Sequence, residues 1–339
     1  MTRPLAANLI FADDSLPGIS RRRTGKGWRY FGPDQAPLTD RAEIARLNAI
    51  ALPPAYRDGW FCPAANGHIQ ATGIDAKGRK QYRYHPLFRA AREAEKFDGC
   101  ARFGQMLPHV RQRVEADLAA PGLTLERAVA SVVRLLDTGS IRIGNEAYVK
   151  ANKSFGATTL RMRHADLNGQ TLKLRFKAKS GKLCEMEVTD RALARFVKKM
   201  QDLPGQNLFQ YLDDDGAARV LTSSDVNAYL QQTTGGEFTA KNFRTWHASA
   251  LAFELLALAD QTLTLKAVLD EVSSRLSNTP AIARKSYIHP AVLAMIERQE
   301  KWRADLVLPR KSRWLSRTER GLINFIEGSE AAAPAARAS

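Results

Sequence analysis

Four short runs between residues 141 and 290 carry the residue types that attack on a phosphodiester requires. They cover residues 141–148, 176–182, 241–247 and 277–290. In chain order they supply an arginine, lysines around a glycine turn, a second arginine, and an asparagine followed by a tyrosine. Guanidinium groups are planar and permanently charged, so they suit the negative charge that grows on the non-bridging oxygens. The set predicts attack by a phenol on a phosphodiester.

Such a reaction also needs an acid and cations near the nucleophile. The departing 5′-oxygen of deoxyribose is a poor leaving group unless it is protonated, and a lysine whose pKa neighbouring arginines lower can protonate it. Phenol has an unperturbed pKa of about 10, so cations are needed to favour the phenolate. Tyr287 lies beside Arg284 and Lys285. A phosphotyrosine ester keeps most of the free energy of the broken bond, so rejoining needs no ATP.

The bulk composition agrees with a polyanionic partner. The 339 residues include 51 lysines and arginines against 35 aspartates and glutamates, which gives a net charge of +16. This excess favours nucleic acid, although other basic proteins share it. The length predicts one very large domain or two ordinary ones, and the hydrophobic fraction of 44% suffices for packed cores.

Cysteine usage and apolar content disfavour several other classes. Cys62, Cys100 and Cys184 are widely spaced and form no C-x-x-C pair, so neither a zinc site nor a disulfide framework is indicated. A reducing cytoplasm, on the nucleoid, is the expected location. No run approaches the ~18 apolar residues of a membrane span. Since no compact carboxylate cluster accompanies the basic runs, a metal-dependent nuclease is disfavoured.

The composition and residue pattern of the chain change near residue 90, and the two parts together predict an α+β protein. Residues 1–90, rich in Gly, Pro and aromatics, predict a small β-rich N-terminal domain with one short helix, at residues 41–50. Residues 91–327 predict a mainly α-helical catalytic domain with a β-hairpin. Residues 328–339, mostly Ala, Pro and Ser, predict a disordered tail. Alternating aromatic and polar residues predict strands at 28–32, 60–62, 68–73 and 81–84.

Three elements of the second domain are expected to position the chemistry. Apolar residues between 125 and 136 recur with the spacing of a buried helix face, with Thr124 as N-cap and Gly139 as the stop before Arg142. A hairpin is predicted from two runs of period two that flank a turn at Gly181. A long helix from Thr239 to Leu258 contains the second arginine.

Together the four runs resemble the active-site segments of type IB DNA topoisomerases, in the compact branch shared by poxviruses and bacteria. The resemblance extends from about Trp28 to about Trp314. It implies the fold of topoisomerases IB and tyrosine recombinases, and a monomer that clamps double-stranded DNA in a C shape. One strand would be cut to give a 3′-phosphotyrosine and a free 5′-hydroxyl. Swivelling about the intact strand would release positive or negative supercoils before the ends rejoin, without ATP or metal.

The resemblance also implies a set of catalytic residues. Arg142 and Arg244 would clamp the scissile phosphate, while Tyr287 would be the nucleophile. Lys179 would protonate the leaving oxygen. Asn278 stands where many members have a histidine, and its side-chain NH2 would donate to a non-bridging oxygen without carrying a charge.

Two assignments within this set have alternatives. The residue before Lys179 is alanine, where the family usually has glycine, so Lys177 and Lys182 are also candidates for the acid. A lysine-rich hairpin can also be a purely electrostatic contact with DNA. Asn278 can be read as a helix N-cap or turn residue, in which case His247 is the next candidate for the fifth donor.

Other residues match DNA-contacting positions of the family. Gln81, Tyr82 and Tyr84 match a Gln-Tyr-x-Tyr run on the DNA surface of its N-terminal domain, and Tyr148 and Lys241 match phosphate-contacting positions. Tyrosine hydroxyls position a protein on phosphates, and glutamine can read a base edge in the major groove. An ordinary half-buried edge strand would explain the aromatic residues as well.

Two further functions are compatible with the pattern. A tyrosine site-specific recombinase uses the same fold and nucleophile, but recombinases usually have histidine where this chain has Lys241, and a helical N-terminal domain. A catalytically inactive basic protein would bind DNA through charge alone. Plasmid relaxation without a paired recognition site excludes the recombinase, and a covalent protein–DNA adduct excludes the inactive protein.

Overall fold

The chain divides into two compact units, Met1–Lys96 and Phe97–Ser339. The computed structural model describes residues 8–25, 27–236 and 238–336. The division falls in the last turns of the helix Pro86–Asp98, six residues after the boundary that the sequence suggested at residue 90. The architecture is α+β, as predicted, because an antiparallel sheet occupies the first unit and helices dominate the second.

The first unit is a five-stranded antiparallel sheet with the order β2-β1-β3-β4-β5. Its strands are β1 (Ile19–Thr24), β2 (Gly27–Phe31), β3 (Arg57–Phe61), β4 (Ile69–Ile74) and β5 (Lys80–Tyr84). Its helices are α1 (Arg41–Ala49), between β2 and β3, and α2 (Pro86–Asp98). The four strands and the short helix predicted from the aromatic runs are confirmed, and β1 is an addition.

The strand register separates the two faces of this sheet. Residues directly opposite each other in an antiparallel pair point to the same side. Ile19, Phe61 and Ala71 form a cross-strand row that packs with Leu47 of α1 as a small core. The opposite face carries a second cross-strand row, made of Tyr82, Thr72, Trp60, Ser20 and Phe31.

Strand β1 escaped the sequence analysis because its central residues are three arginines. Arg21 lies on the core side of the sheet, where its guanidinium stacks 3.9 Å from the centre of the Trp28 ring. It also donates hydrogen bonds of 2.7 and 2.6 Å to the carbonyls of Leu52 and Pro53. These partners, distant in sequence, compensate the charge of Arg21 on the core side of the sheet. A strand pattern that alternates apolar and polar residues would have placed an arginine on the solvent side.

The second unit is mainly helical and has one large core. Its helices are α3 (Cys100–Ala119), α4 (Leu125–Gly139), α5 (Glu146–Asn152), α6 (Arg191–Met200), α7 (Ser223–Thr234), α8 (Ala240–Leu258), α9 (Leu265–Arg275), α10 (Pro280–Ser286), α11 (Pro290–Ala294), α12 (Gln299–Asp305) and α13 (Arg317–Ala336). Its strands are β6 (Ala165–Asn168), β7 (Thr171–Lys177), β8 (Leu183–Thr189), β9 (Gln210–Leu212) and β10 (Ala218–Val220). Helix α8 is central to the core, since Phe243, Trp246 and Phe253 are fully buried.

Helix α4 begins as predicted and ends in a sharp turn. The Thr124 hydroxyl accepts a hydrogen bond from the Arg127 amide at 3.3 Å. Gly139 is the last helical residue, but the left-handed conformation belongs to Ser140, with φ of 53°. The Ser140 hydroxyl lies 3.1 Å from Nδ1 of His247 on α8, which compensates for this unusual conformation. The turn directs the chain towards Arg142.

The predicted hairpin is confirmed as β7 and β8, with Gly181 at φ of 74° in the connecting turn. Strand β6 adds a third strand that the sequence analysis missed. Glutamates lie directly opposite two basic residues of its polar face. Lys173 pairs with Glu187 at 2.9 Å and Arg175 with Glu185 at 2.7 Å. Much of the charge on this face is therefore neutralised within the hairpin.

The C-terminal helix extends into the segment whose composition predicts a disordered tail. Helix α13 continues to Ala336, through residues that we expected to be disordered. Alanine is the strongest helix former, and a helix already anchored by the buried Leu322 and Ile326 extends at little cost. Residues 337–339 lie outside the described residues. None of the described helices is long and apolar enough to cross a membrane.

Candidate active site

Arg244 lies at the centre of the site, where α8 meets the ends of α4 and α9. Only 4% of its surface is exposed. One terminal nitrogen donates to the carbonyl of Ser140 and the other to the carbonyl of Leu276, at 2.8 Å. Its Nε is buried and has no partner in the described structure. Burial, followed by the nearby charge of Arg142, lowers the pKa of Arg244 from its ordinary value. The guanidinium is thus a buried cation bonded to carbonyls.

Arg142 follows the turn after α4, and its main chain is held by a second segment. Its carbonyl accepts a hydrogen bond of 2.8 Å from the amide of Ala157. The backbones of Gly144 and Gly156 approach so closely that a Cβ on Gly156 would lie 2.6 Å from the Arg142 carbonyl oxygen. The guanidinium donates to Oδ1 of Asn278. Backbone packing therefore holds Arg142 where its guanidinium reaches Asn278, a second member of the predicted catalytic set.

Asn278 is 8% exposed and directly follows Ser277, which has φ of 50°. A guanidinium only donates hydrogen bonds, so the atom that faces Arg142 is the amide oxygen. The amide nitrogen, Nδ2, is consequently turned elsewhere, and it is buried without a partner among the described residues. The N-cap of α10 is Thr279 and not Asn278. The N-cap interpretation of Asn278 is therefore wrong.

Tyr287 is half-buried at the C-terminal end of α10, against Arg244. The centre of its ring lies 5.0 Å from Cζ of Arg244, and hydrogen bonding to Tyr287 raises the pKa of that guanidinium, against the larger effect of burial. Its main-chain carbonyl accepts a hydrogen bond of 3.3 Å from the Ser249 hydroxyl of α8. One cation at this ring is thus a residue 43 positions away, while the neighbours Arg284 and Lys285 are exposed.

The hairpin lysines differ in their surroundings. Lys182 donates from Nζ to the main-chain carbonyl of Asn278 at 2.7 Å. Lys179 lies in the turn Lys179–Gly181 with its side chain exposed, and it makes no hydrogen bond or ion pair within the described part of the chain. Lys177 is exposed at the end of β7. Of the three candidates for the acid, the structure brings Lys182 into contact with the site.

Cys184 closes the site from the side of the hairpin. Burial raises the pKa of its thiol, an effect opposed by a hydrogen bond with Ser277 and by the nearby Arg244 and Arg142. The start of β8 is thereby attached to the turn that precedes Asn278. Within residues 8–25, 27–236 and 238–336, no group of three His, Cys, Asp or Glu side chains could hold a metal ion.

The two histidines near the site have structural partners. His247 lies between the Ser140 hydroxyl and Oδ1 of Asp137, at 3.1 and 3.3 Å. His289 accepts a hydrogen bond of 3.2 Å from the amide of Ala291 and so caps α11. Burial lowers the pKa of His289 to about 4. These contacts supply both imidazoles with partners inside the protein.

A half-buried ionic network, which the sequence analysis missed, supports the end of α4. Arg111 of α3 lies 2.8 Å from Asp137 and 2.7 Å from Glu319 of α13. Burial alone would raise the pKa of Asp137, but hydrogen bonds from His247 and Arg111 hold it below its ordinary value. The network ties three helices together one turn before Ser140. No local pattern signals it, because its members are far apart in the chain.

The predicted DNA-contacting residues are exposed on the surfaces of their units, except for the half-buried Gln81. Tyr148 on α5 is 51% exposed, and Lys241 is exposed in the first turn of α8. In the first unit the rings of Tyr82 and Tyr84 are exposed and stacked, with centres 5.9 Å apart. Gln81 instead donates to Asp75 at 3.0 Å, so its amide has an internal partner.

Two exposed arginines share the sheet face of Tyr82, and the sequence analysis did not single them out. Arg22 and Arg29 are directly opposite each other on β1 and β2. Like charges in this relation destabilise a sheet unless an anion lies between or above them. The sequence did carry a signal for this basic surface, since residues 15–33 contain five basic residues and no acidic one. The face therefore combines stacked tyrosines with positive charge that no carboxylate of its hairpin neutralises.

Sequence profiles of two families match this chain. The profile described as "Eukaryotic DNA topoisomerase I, catalytic core" matches residues 85–306, and "Bacterial DNA topoisomerase IB, N-terminal domain" matches residues 27–75. The first match includes the arginines, the hairpin, the asparagine and the tyrosine of the site. Both descriptions belong to one class of enzyme, the type I DNA topoisomerases, which are isomerases.

Individual relatives agree with the profiles. DNA topoisomerase 1B of Acanthamoeba polyphaga mimivirus is 30% identical over 287 residues, covering 80% of this chain and 85% of that protein. DNA topoisomerase 1B of vaccinia virus (strain Copenhagen) is 20% identical over 230 residues, covering 67% and 72%. A solved structure of XerH site-specific recombinase has a TM-score of 0.38 at 15% identity, covering 57% of this chain and 51% of that one. The chain belongs to the type IB DNA topoisomerases.

Proposed function

We propose that this chain relaxes positive and negative supercoils in double-stranded DNA, by transient cleavage of one strand through a 3′-phosphotyrosine. The observation that carries the proposal is that two donors of this site, Nε of Arg244 and Nδ2 of Asn278, are buried without a partner among the described residues. A buried donor without an acceptor costs about 1–3 kcal/mol, so such groups are retained where a ligand satisfies them. Non-bridging phosphate oxygens are acceptors of the required charge.

Each residue of the site has a defined part in the cleavage step. The Tyr287 oxygen attacks phosphorus and forms the new ester while the bond from phosphorus to the 5′-oxygen breaks. Arg142 and Arg244 donate to the non-bridging oxygens, where charge develops, and Asn278 adds a neutral donor. Lys179 transfers a proton to the departing 5′-oxygen. The phenol proton passes to solvent, so the products are a phosphodiester to tyrosine and a 5′-hydroxyl.

Rejoining reverses the same steps without an external energy source. The duplex swivels about the intact strand while Tyr287 holds the 3′ end. The free 5′-hydroxyl then attacks the phosphotyrosine, and the tyrosine leaves. Because one phosphate ester replaces another, neither ATP nor metal is needed in this scheme.

DNA is held through charge and aromatic contacts in both units. The net charge of +16 favours a phosphate backbone. The exposed Tyr82 and Tyr84 of the first unit, and Tyr148 and Lys241 of the second, are the proposed contacts. We propose that the chain acts on DNA as a monomer, in the cytoplasm.

The proposal is tested by plasmid relaxation in EDTA without ATP, followed by denaturing gels of detergent-stopped reactions. We expect both positively and negatively supercoiled plasmid to relax, and a fraction of the DNA to carry covalently bound protein. Failure to relax any plasmid would refute the proposed function. Relaxation that required a paired recognition site would instead favour a recombinase, although Lys241 replaces the histidine usual in that family.

A further inference from the structure

Asn278 is held at two points by basic side chains from different segments. Arg142 donates to its side-chain oxygen, and Lys182 donates to its main-chain oxygen at 2.7 Å. The first contact orients the amide, and the second holds the peptide from which the side chain projects. The remaining polar group, Nδ2, is the buried donor without a partner in the described structure.

The backbone at Asn278 needs such restraint. Ser277 adopts φ of 50°, a conformation that non-glycine residues hold only when their surroundings determine it. The Asn278 amide donates to the Ser273 carbonyl at 2.9 Å, and Ser277 and Cys184 of β8 line the same small cavity. Lys182, two residues before Cys184, adds a contact from the same strand end. The hairpin therefore braces the turn that carries Asn278.

Lys182 is placed by the base of the hairpin turn, whereas Lys179 lies at its tip. The Ala178 amide donates to the Lys182 carbonyl at 2.7 Å, and the Gly181 amide donates to the Ala178 carbonyl at 3.1 Å. These bonds close the turn just before β8 begins. A lysine at the closed base has a defined main chain, while one in the exposed turn is free to reach a bound substrate.

We infer that Lys182 is a positioning residue that holds Asn278 with its amide towards the scissile phosphate, and that Lys182 transfers no proton in the reaction. The inference deepens the proposed function and rests on it. It predicts a division of labour within the hairpin, in which Lys179 serves as the acid and Lys182 acts only through Asn278.

A substrate with sulfur in place of the 5′-bridging oxygen separates the two roles. Its leaving group is a thiolate, which needs no proton, so loss of an acid is rescued and loss of a positioning contact is not. In single-turnover experiments at saturating enzyme, we expect Lys182→Ala to lower the cleavage rate of both substrates roughly ten- to a hundredfold. Lys179→Ala should cleave the oxygen-bridged substrate slowly and the sulfur-bridged substrate at nearly the parent rate. Lys182→Arg should recover most of the rate, since a guanidinium can donate to the same carbonyl.

Two controls complete the test. Lys173→Ala removes the same charge from the same hairpin, but Lys173 bonds Glu187, so its single-turnover rate should match the parent. In an Asn278→Ala background, Lys182→Ala should add little further loss, because both changes disable one donor. Rescue of Lys182→Ala by sulfur, additive losses in the double variant, or a parental rate would each overturn the inference. A parent that forms no adduct refutes the proposed function itself.

Discussion

Among the residues of the site, charge is concentrated without carboxylates to balance it. Arg244 is bonded to two carbonyls and Arg142 to an amide oxygen, so neither guanidinium is neutralised by these contacts. An uncompensated buried charge is unfavourable until an anion arrives. Elsewhere in the same unit the half-buried Arg111 is paired with two carboxylates. The contrast distinguishes a ligand site from a structural ion network.

Tyr287→Phe should abolish relaxation and covalent trapping while leaving non-covalent DNA affinity nearly unchanged. The ring still packs on Arg244, and only the attacking hydroxyl is lost. The measurements are plasmid relaxation, denaturing gels of trapped complexes, and binding to a short duplex. Residual adduct in this variant would assign the nucleophile to another tyrosine.

Asn278→Ala should slow single-turnover cleavage by a modest factor, roughly ten- to a few hundredfold, as for one hydrogen bond to a charged group. Asn278→His should retain activity and acquire a pH dependence near neutrality, because an imidazolium donates more strongly than neutral imidazole. Rates measured between pH 5.5 and 8.5 check both statements. A parental rate for Asn278→Ala would show that the buried amide has no part in cleavage.

The two hairpins differ in how their arginines and lysines are balanced. On β7 Lys173 and Arg175 face glutamates of β8, whereas on β1 Arg22 faces Arg29 of β2. Cross-strand pairs of opposite charge stabilise a sheet, and like pairs weaken it. The β1–β2 hairpin thus retains positive charge for a partner, on the face of the sheet that also carries Tyr82.

The double substitution Arg22→Gln and Arg29→Gln should weaken binding to a duplex and reduce its salt dependence. Each lost phosphate contact lowers the slope of log affinity against log salt by about 0.9. The matched control, Lys173→Gln with Arg175→Gln, removes the same charge from residues already paired with glutamate, so its slope should change less. Equal slopes for the two double variants would exclude the β1–β2 face from DNA binding.

Across the whole molecule, two cores are built around different contacts. The first unit depends on a small sheet–helix core, and the second on helices that surround α8 and share buried polar groups. Among those groups, His289 is 7% exposed, and burial lowers its pKa to about 4. Such a group links the stability of the fold to pH.

We expect the free energy of unfolding of the second unit to decrease as pH falls from about 6.5 to about 4. In this interval the unfolded histidine binds a proton and the folded one does not, so protonation favours unfolding. His289→Asn keeps a side chain that can cap α11 but cannot titrate, and should flatten this part of the profile. Urea unfolding at several pH values compares the two proteins. Identical slopes would show that His289 does not contribute.

By itself, the sequence determined the elements whose signals are local. Sequence patterns predicted the Thr124 cap, helix α4 and the glycine turn between β7 and β8. Each of these features depends on residues that are close neighbours in the chain. It also determined which residue types were available for chemistry on a phosphate. The family match includes every segment in which those residues lie.

Tertiary structure decided the contacts that turn those residues into a site. Arg142 and Asn278 are 136 positions apart, and Lys182 and Asn278 are 96 apart, so no periodicity relates them. In strand β1, likewise, Arg21 lies on the core side of the sheet with partners that local patterns do not reveal, the carbonyls of Leu52 and Pro53. Such pairings depend on how helices and strands pack against each other. Local propensity does not encode that packing, which orients the amide of Asn278 and leaves Nε of Arg244 available.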